Sequence, residues 1–197
     1  MKRSWIIIIV IVVVLFIIYR LFAGTYNSMV MRQENVNKAW SGVLTVYQRR
    51  LDLIDNLVAT VKGAANFEQQ TLTKVIEARA NATQTRIDAN NLTPEALAKF
   101  QAAQGQLGSA MSRLLVVAEQ YPQLRATQNF SDLQAQIEGS ENRIAVERQR
   151  FNDIAQDYNT YIRTFPQNML AGMYGFQQKP YFEAEKGAEH APKVKFD

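Results

Sequence analysis

The apolar and polar positions of this chain sort into one unbroken apolar run followed by several heptad stripes. Residues Trp5 to Ala23 (WIIIIVIVVVLFIIYRLFA) carry a single charge, Arg20, near their far end. As a helix they would span roughly 28 Å at ~1.5 Å per residue, close to the ~30 Å hydrocarbon core of a bilayer. Trp5 and Tyr19 stand near the two edges, where amphipathic rings favour the membrane interface, and Arg20 can snorkel to the headgroups. The run predicts a membrane anchor over 1–24 with its span at 5–23, and membrane lipid as the first partner. A cleaved signal peptide is the competing reading. It fits less well, because cleavage after Ala23 or Gly24 would place bulky Leu21 or Phe22 where signal peptidase needs a small residue.

Beyond the anchor the period is helical throughout. Trp40, Leu44, Tyr47, Leu51, Ile54, Val58, Val61 and Ala65 alternate in steps of four and three, predicting a long helix from near Tyr26, with Gly63 a weak point or an end. A thinner stripe (Leu72, Val75 or Ile76, Arg79, Thr83, Ile87) predicts a second helix over about 68–90. Thr93-Pro94-Glu95 is a start signal: a hydroxyl cap, Pro in the first turn and an acid after it. The third helix carries Leu97, Phe100, Gln104, Leu107, Met111, Leu114, Ala118 and Tyr121 and runs to about Gln120. Ser131 to Gln134 matches a capping box. The fourth stripe runs Leu133, Ile137, Ser140, Ile144, Glu147, Phe151, Ile154, Tyr158, Tyr161, Phe165, with Ser140 and Glu147 as polar interruptions and Pro166 as its stop. No strand-like alternation competes. The fold class expected is all-α: a single N-terminal transmembrane helix, then an antiparallel four-helix bundle of long coiled-coil-like helices over 25–182. Residues 183–197 are polar and aperiodic and read as a disordered tail.

Charge changes the picture in one respect. The chain has a net charge of +4 and a pI near 9.3. Three of its 22 basic residues, Lys2, Arg3 and Arg20, belong to the anchor, leaving 19 basic against 18 acidic and a net +1 from Gly24 onward. The basicity therefore flanks a membrane span, and no nucleic-acid partner is expected. The charged N-terminus favours an N-in, C-out arrangement with the bulk of the chain outside the cytoplasm, although both flanks are basic.

Catalytic chemistry finds little footing. There is no Cys, which also excludes a lipidated N-terminal cysteine, and the one His is His190 in the tail. Nucleotide-binding glycine motifs, the nucleophile elbow and the zinc-protease helix motif are all missing. No catalytic residue, metal ligand or cofactor is assigned. The polar candidates are structural. Glu147 sits at a seam position, either as a buried acid facing Arg49 or Arg50 on another helix or as a partly exposed break in the seam. The cluster containing Arg49, Arg50, Asp52 and Asn56 reads as a solvated face with pairs such as Arg49–Asp52 and Asp52–Asn56, or as a polar seam joining helices or subunits. Trp40, Tyr47, Tyr158, Tyr161 and Phe165 are expected in the core. The segment holding Phe165, Tyr174, Phe176 and Phe182 either folds back to cap the bundle or offers an apolar contact surface, and folding back is the expectation; the alternative function is a membrane-contact or membrane-remodelling protein in which the apolar 165–182 segment dips into lipid.

An ordered set of short pieces resembles the LemA family of bacterial membrane-anchored helical proteins. They include Tyr26-Asn27, Lys38-Ala39-Trp40-Ser41, Arg49-Arg50-x-Asp52-Leu53-Ile54-x-Asn56-Leu57-Val58, Thr60-Val61-Lys62-Gly63 and Ala78-Arg79-Ala80. Later pieces are Tyr121-Pro122, Glu141-Asn142-Arg143-Ile144, Arg150-Phe151-Asn152, Tyr158-Asn159, Phe165-Pro166, Gly175-Phe176 and Tyr181-Phe182. Two positions depart from the family's pattern: Asp55 stands where Pro is usual, and Phe67 precedes Glu68 where His is usual. The resemblance implies a single-pass anchor at the bacterial cytoplasmic membrane, a long-helix bundle and no established enzymatic activity. Members often lie near genes for membrane proteases. That implies a scaffold or adaptor, with a membrane protease or another envelope protein as partner, and a homo-oligomer is expected from unclosed helix seams.

Overall fold

The computed structural model describes residues 2–63 and 68–183, with side chains from Trp5 onward. Every regular element among the described residues is helical, with no strand among them. The elements are α1 (Lys2–Lys62), α2 (Gln69–Gln84), a 3-10 turn (Ala89–Asn91), α3 (Pro94–Ala118), the single turn α4 (Pro122–Arg125), α5 (Gln128–Arg163) and α6 (Gln167–Tyr174). The polar tail expected after residue 182 lies outside the described residues beyond Glu183, as do Ala65 and Phe67.

The first departure from expectation is α1 itself. It does not begin near Tyr26 but runs as one helix of 61 residues from the apolar stretch through Gly24 to Lys62. Extending a helix adds a hydrogen bond for each residue fixed, whereas starting a new one carries the nucleation cost. One glycine, worth about 1 kcal/mol against helix, does not outweigh that. Ser28 Oγ also donates to the Gly24 carbonyl at 2.9 Å. Trp5 to Phe22 are exposed along the helix, and burial begins at Met29. The exposed part is long and apolar enough to cross a membrane.

From about Met29 onward, α1 pairs antiparallel with α5. Arg32 meets Asp157, Trp40 meets Phe151 with ring centroids 5.6 Å apart, and Arg50 meets Glu141. Helices α2 and α3 form the other antiparallel pair, with Asn81 donating to Gln106. The heptad stripes become the core. Leu97, Phe100, Gln104, Leu107, Met111, Leu114 and Ala118 of α3 are all buried, as are Trp40, Tyr47, Leu51, Ile54, Val58 and Val61 of α1. Thr93 caps α3 as its sequence signalled, its Oγ1 accepting from Ala96 N at 3.2 Å.

Four local expectations fail. The second helix stops at Gln84 rather than near Asn90, because Ile87 turns into the core and its carbonyl accepts from Trp40 Nε1 at 3.0 Å. A carbonyl given to a tertiary donor leaves the helical ladder. Along α2 the buried seam passes through Ala82 rather than Thr83. The capping box at Ser131 is not used. Helix α5 starts at Gln128, pulled earlier by the buried Leu124 and Phe130 on either side of its start. Phe165, expected on the core stripe, is 74% exposed, because α5 ends at Arg163 and Thr164 is extended, which takes Phe165 off the heptad.

The core has two parts. One gathers Met29, Val36, Trp40, Phe100, Phe151, Tyr158 and Phe182 near the apolar end of α1. The other lies further along α1 and gathers Ile54, Val61, Val75, Leu107, Leu114 and Phe130.

Trp40 is the hub of the first. It is fully buried and packs against Phe100, Phe151 and Phe182 with centroids 5.5–5.9 Å apart. Trp40→Phe keeps most of the packing but strands the Ile87 carbonyl, and should cost about 1–3 kcal/mol. Trp40→Ala should cost about 3–5 kcal/mol. Urea unfolding of the detergent-solubilised full chain reads both, and equal losses for the two variants would assign the whole effect to the hydrogen bond.

Candidate functional site

Between the two parts of the core lies a polar layer. Arg50 reaches from α1 beneath α3 to α5, where its Nη2 meets Glu141 Oε1 at 2.8 Å. Gly108 leaves room for the guanidinium, since a Cβ there would stand 3.2 Å from Arg50 Nη2 and push it aside by a few tenths of an ångström. Gln104 and Ser140 complete the layer, both buried, with Ser140 Oγ donating to the Ile137 carbonyl at 2.7 Å. Arg50 Nε and Gln104 Oε1 have no partner among the described residues, so one ion pair rather than a closed network holds the layer. A groove of about 490 Å³ opens above it between α3 and α5, flanked by Gly105 and Ser109.

The other polar candidates fall elsewhere. Glu147 does not face Arg49 or Arg50. It stands beside Gly42 in the α1–α5 seam, its side chain 23% exposed, with Arg150 of its own helix 3.7 Å away. Arg49, Asp52 and Asn56 lie exposed on the outer side of α1, and Asp52 accepts from Gln48 Nε2 at 2.9 Å rather than pairing with Arg49 or Asn56. Asp55, in the position where Pro was the usual residue, pairs with Arg79 and ties α1 to α2. Among the described residues no group of three or more His, Cys, Asp or Glu could hold a metal ion.

Sequence reasoning missed a strap formed by residues 177–183 on α5. Asn159 Oδ1 accepts from Lys179 N at 2.8 Å, and its Nδ2 donates to Lys179 O at 2.8 Å and to Tyr181 Oη at 2.9 Å. One heptad earlier, Asn152 makes the same pair with Phe182, accepting from its N at 2.8 Å and donating to its O at 3.0 Å. Each side-chain amide therefore acts as a strand would, giving one acceptor and one donor to an extended residue. The spacing fits: seven helical residues rise roughly 10.5 Å, and three extended residues cover roughly 10 Å. Tyr158 Oη donates to Gln177 O at 3.0 Å, and Arg148 donates to Glu183 O at 2.9 Å.

Burial pushes the Tyr158 hydroxyl up to about 12, so it remains a donor throughout the neutral range. Burial also draws the Lys179 ammonium below the usual lysine range. Near its end the strap stacks Phe182, 6% exposed, on Trp40 beneath the Arg148 guanidinium. The signal in the sequence was the repeated pair Phe151-Asn152 and Tyr158-Asn159, an asparagine after a seam aromatic at a seven-residue interval.

The C-terminal apolar segment divides. Leu170, Ala171 and Phe182 are buried, and Phe176 packs against the core. Phe165, Met169, Met173 and Tyr174 are exposed. Tyr26 meets Tyr174 and Phe176 edge-on, at 5.0 and 5.9 Å.

Asn159→Ala removes three hydrogen bonds from the strap. It should cost about 1–3 kcal/mol and open the Tyr181–Phe182 bonds to chymotrypsin, while a control substitution elsewhere on α5, Gln156→Ala, leaves cleavage unchanged. Cleavage of Asn159→Ala at the unmodified rate would show that aromatic packing alone holds the strap.

The model of the LemA family matches residues 39–196. Magnetosome protein MamQ 2 of Paramagnetospirillum magneticum is 28% identical over 188 residues, covering 85% of this chain and 67% of that protein. Magnetosome protein MamQ of Magnetospirillum gryphiswaldense gives the same identity and coverage. Protein LemA of Metamycoplasma hominis is 26% identical over 170 residues, covering 86% of this chain and 74% of that protein.

Proposed function

Because this chain belongs to the LemA family, we propose that it is a membrane-anchored, non-enzymatic helical scaffold that organises partner proteins at the bacterial cytoplasmic membrane. The observation that carries the reading is α1: one helix joins an exposed apolar stretch, long enough to span a bilayer, to a packed helical body. On this reading Trp5, Tyr19 and Arg20 set the depth of the span. The body is an antiparallel four-helix bundle of α1, α2, α3 and α5 held close to the bilayer. The missing catalytic motifs and the absence of Cys support a binding role over a chemical one. Relatives named as magnetosome proteins support a membrane setting.

The scaffold acts through copies of itself. Arg49, Asp52 and Asn56 follow one another at steps of three and four on the exposed side of α1. They form a polar row of mixed sign suited to a neighbouring copy, with Arg50 and Glu147 inside the chain setting how its helices register. The bulk of the chain faces the extracytoplasmic side, and a membrane protease or other envelope protein is the partner class.

Full chain extracted in mild detergent should elute above monomer size. Arg49→Glu should shift it toward monomer, and Arg49→Glu combined with Asp52→Arg should restore part of the assembly. A strictly monomeric protein at every concentration would end the self-assembly reading. Sidedness is read on Ala188→Cys, the sole thiol in the chain. An impermeant maleimide should label it in intact spheroplasts, and labelling only after lysis would place the body in the cytoplasm.

A further inference from the structure

The corner between α5 and α6 exposes more apolar side chain than any other part of the described body. Phe165, Met169 and Met173 follow at steps of four and are 74%, 64% and 74% exposed. Elsewhere on the body the large exposed apolar residues, such as Ile76, Val116 and Val146, are scattered over different helices. Isolated residues of that kind are ordinary, whereas a contiguous stripe marks a contact.

The height of this stripe follows from the α1–α5 register. Arg32 pairs with Asp157, a Cβ on Gly42 would meet Glu147, and Arg50 pairs with Glu141. Extending that antiparallel register puts Phe165 roughly level with Thr25. The other end of α6 is fixed independently, because the Tyr174 ring meets Tyr26 at 5.0 Å. The approach to α6 at Phe165 and its last residue, Tyr174, therefore both stand near one level of α1, within about two helical turns, ~11 Å, of the end of the apolar stretch at Ala23. Leu170 and Ala171 face the core, leaving Phe165, Met169 and Met173 on the outer side.

We propose that α6 with Phe165 is an interfacial foot, inserted into the headgroup boundary of the same bilayer that α1 spans. This rests on the reading of α1 as the membrane span. A helix lying in the plane of the interface buries its apolar face roughly 5–10 Å into the headgroup and acyl boundary. Charge agrees with that placement. From Tyr158 to Phe182 there is no acidic residue, and Arg163 and Lys179 are present. The unbranched side chains of Met169 and Met173 adapt to a fluid surface as readily as to a packed one. The foot gives the body a second attachment, which resists tilting about the span.

The chain has no native Cys, so single-thiol probes read this directly in the full chain. Met169→Cys, Met173→Cys, Val13→Cys in the span and Val146→Cys on the exposed side of α5 are each labelled with an environment-sensitive fluorophore. The proteins are reconstituted in phosphatidylethanolamine–phosphatidylglycerol vesicles with nitroxide lipids. The expected result is blue-shifted emission and lipid quenching at 13, 169 and 173, with 146 remaining water-like and unquenched. Quenching at 13 with 169 and 173 behaving like 146 would overturn the foot while leaving the span intact. Shielding at 169 and 173 that disappears as protein is diluted in lipid would mean a second copy covers the face, and would overturn it equally. An unquenched probe at 13 would remove the span and the foot together.

Discussion

The continuity of α1 is the constraint on which the other elements depend. A helix cannot turn sharply without disturbing its hydrogen-bond ladder, so the exposed stretch ending near Ala23 and the seam beginning at Met29 belong to one continuous rod. Every neighbour takes its height from that rod. Helix α5 follows it in antiparallel register from Arg50–Glu141 to Arg32–Asp157. Helix α2 meets it through Asp55–Arg79, and the turn after α2 meets it through Trp40 and Ile87. The position of the helical body relative to the apolar stretch is thereby a property of one helix rather than of a linker.

Two devices keep the neighbours from sliding. An apolar heptad seam repeats every seven residues and by itself tolerates a shift of one repeat. The layer of Arg50, Gln104 and Ser140 interrupts the apolar stripes at one level, so a slipped α5 would leave Arg50 buried without Glu141. Arg50 is buried while Glu141 is half-exposed, so losing the partner strands a buried charge where keeping the partly screened pair adds little, and that asymmetry favours one register over others. The asparagine clips act in the same sense. Asn152 and Asn159 hold main-chain groups at fixed heights on α5, and Phe182 closes the aromatic cluster around Trp40.

Much of this was legible in the sequence, and its limits are physical. The stripes on α1, α3 and α5 were readable because a seven-residue period survives any detail of packing, and their members are largely buried. Continuity through Gly24 was not readable, since one glycine is compatible with both a hinge and a helix interior. The early end of α2 depends on a donor 47 residues away in the chain, Trp40 Nε1. Glu147 and Glu141 could not be ranked as partners of Arg50 without the crossing geometry of α1 and α5. Phe165 kept the heptad step in sequence but lost it in space once Thr164 became extended. The strap was hidden because its partners are backbone atoms, which carry no sequence signature. Only the repeated aromatic–asparagine pair pointed to it.

The most direct test of the account is a nitroxide scan, one residue at a time, over positions 18–32 of the full chain in lipid vesicles. A continuous α1 predicts accessibility that oscillates with the helical period of ~3.6 residues without a change of phase at Gly24, passing from oxygen-accessible to water-accessible near Ala23. A loss of periodicity or a phase jump between Ala23 and Ser28, with high mobility there, would make the junction a flexible linker and contradict the claim that the membrane span positions the helical body.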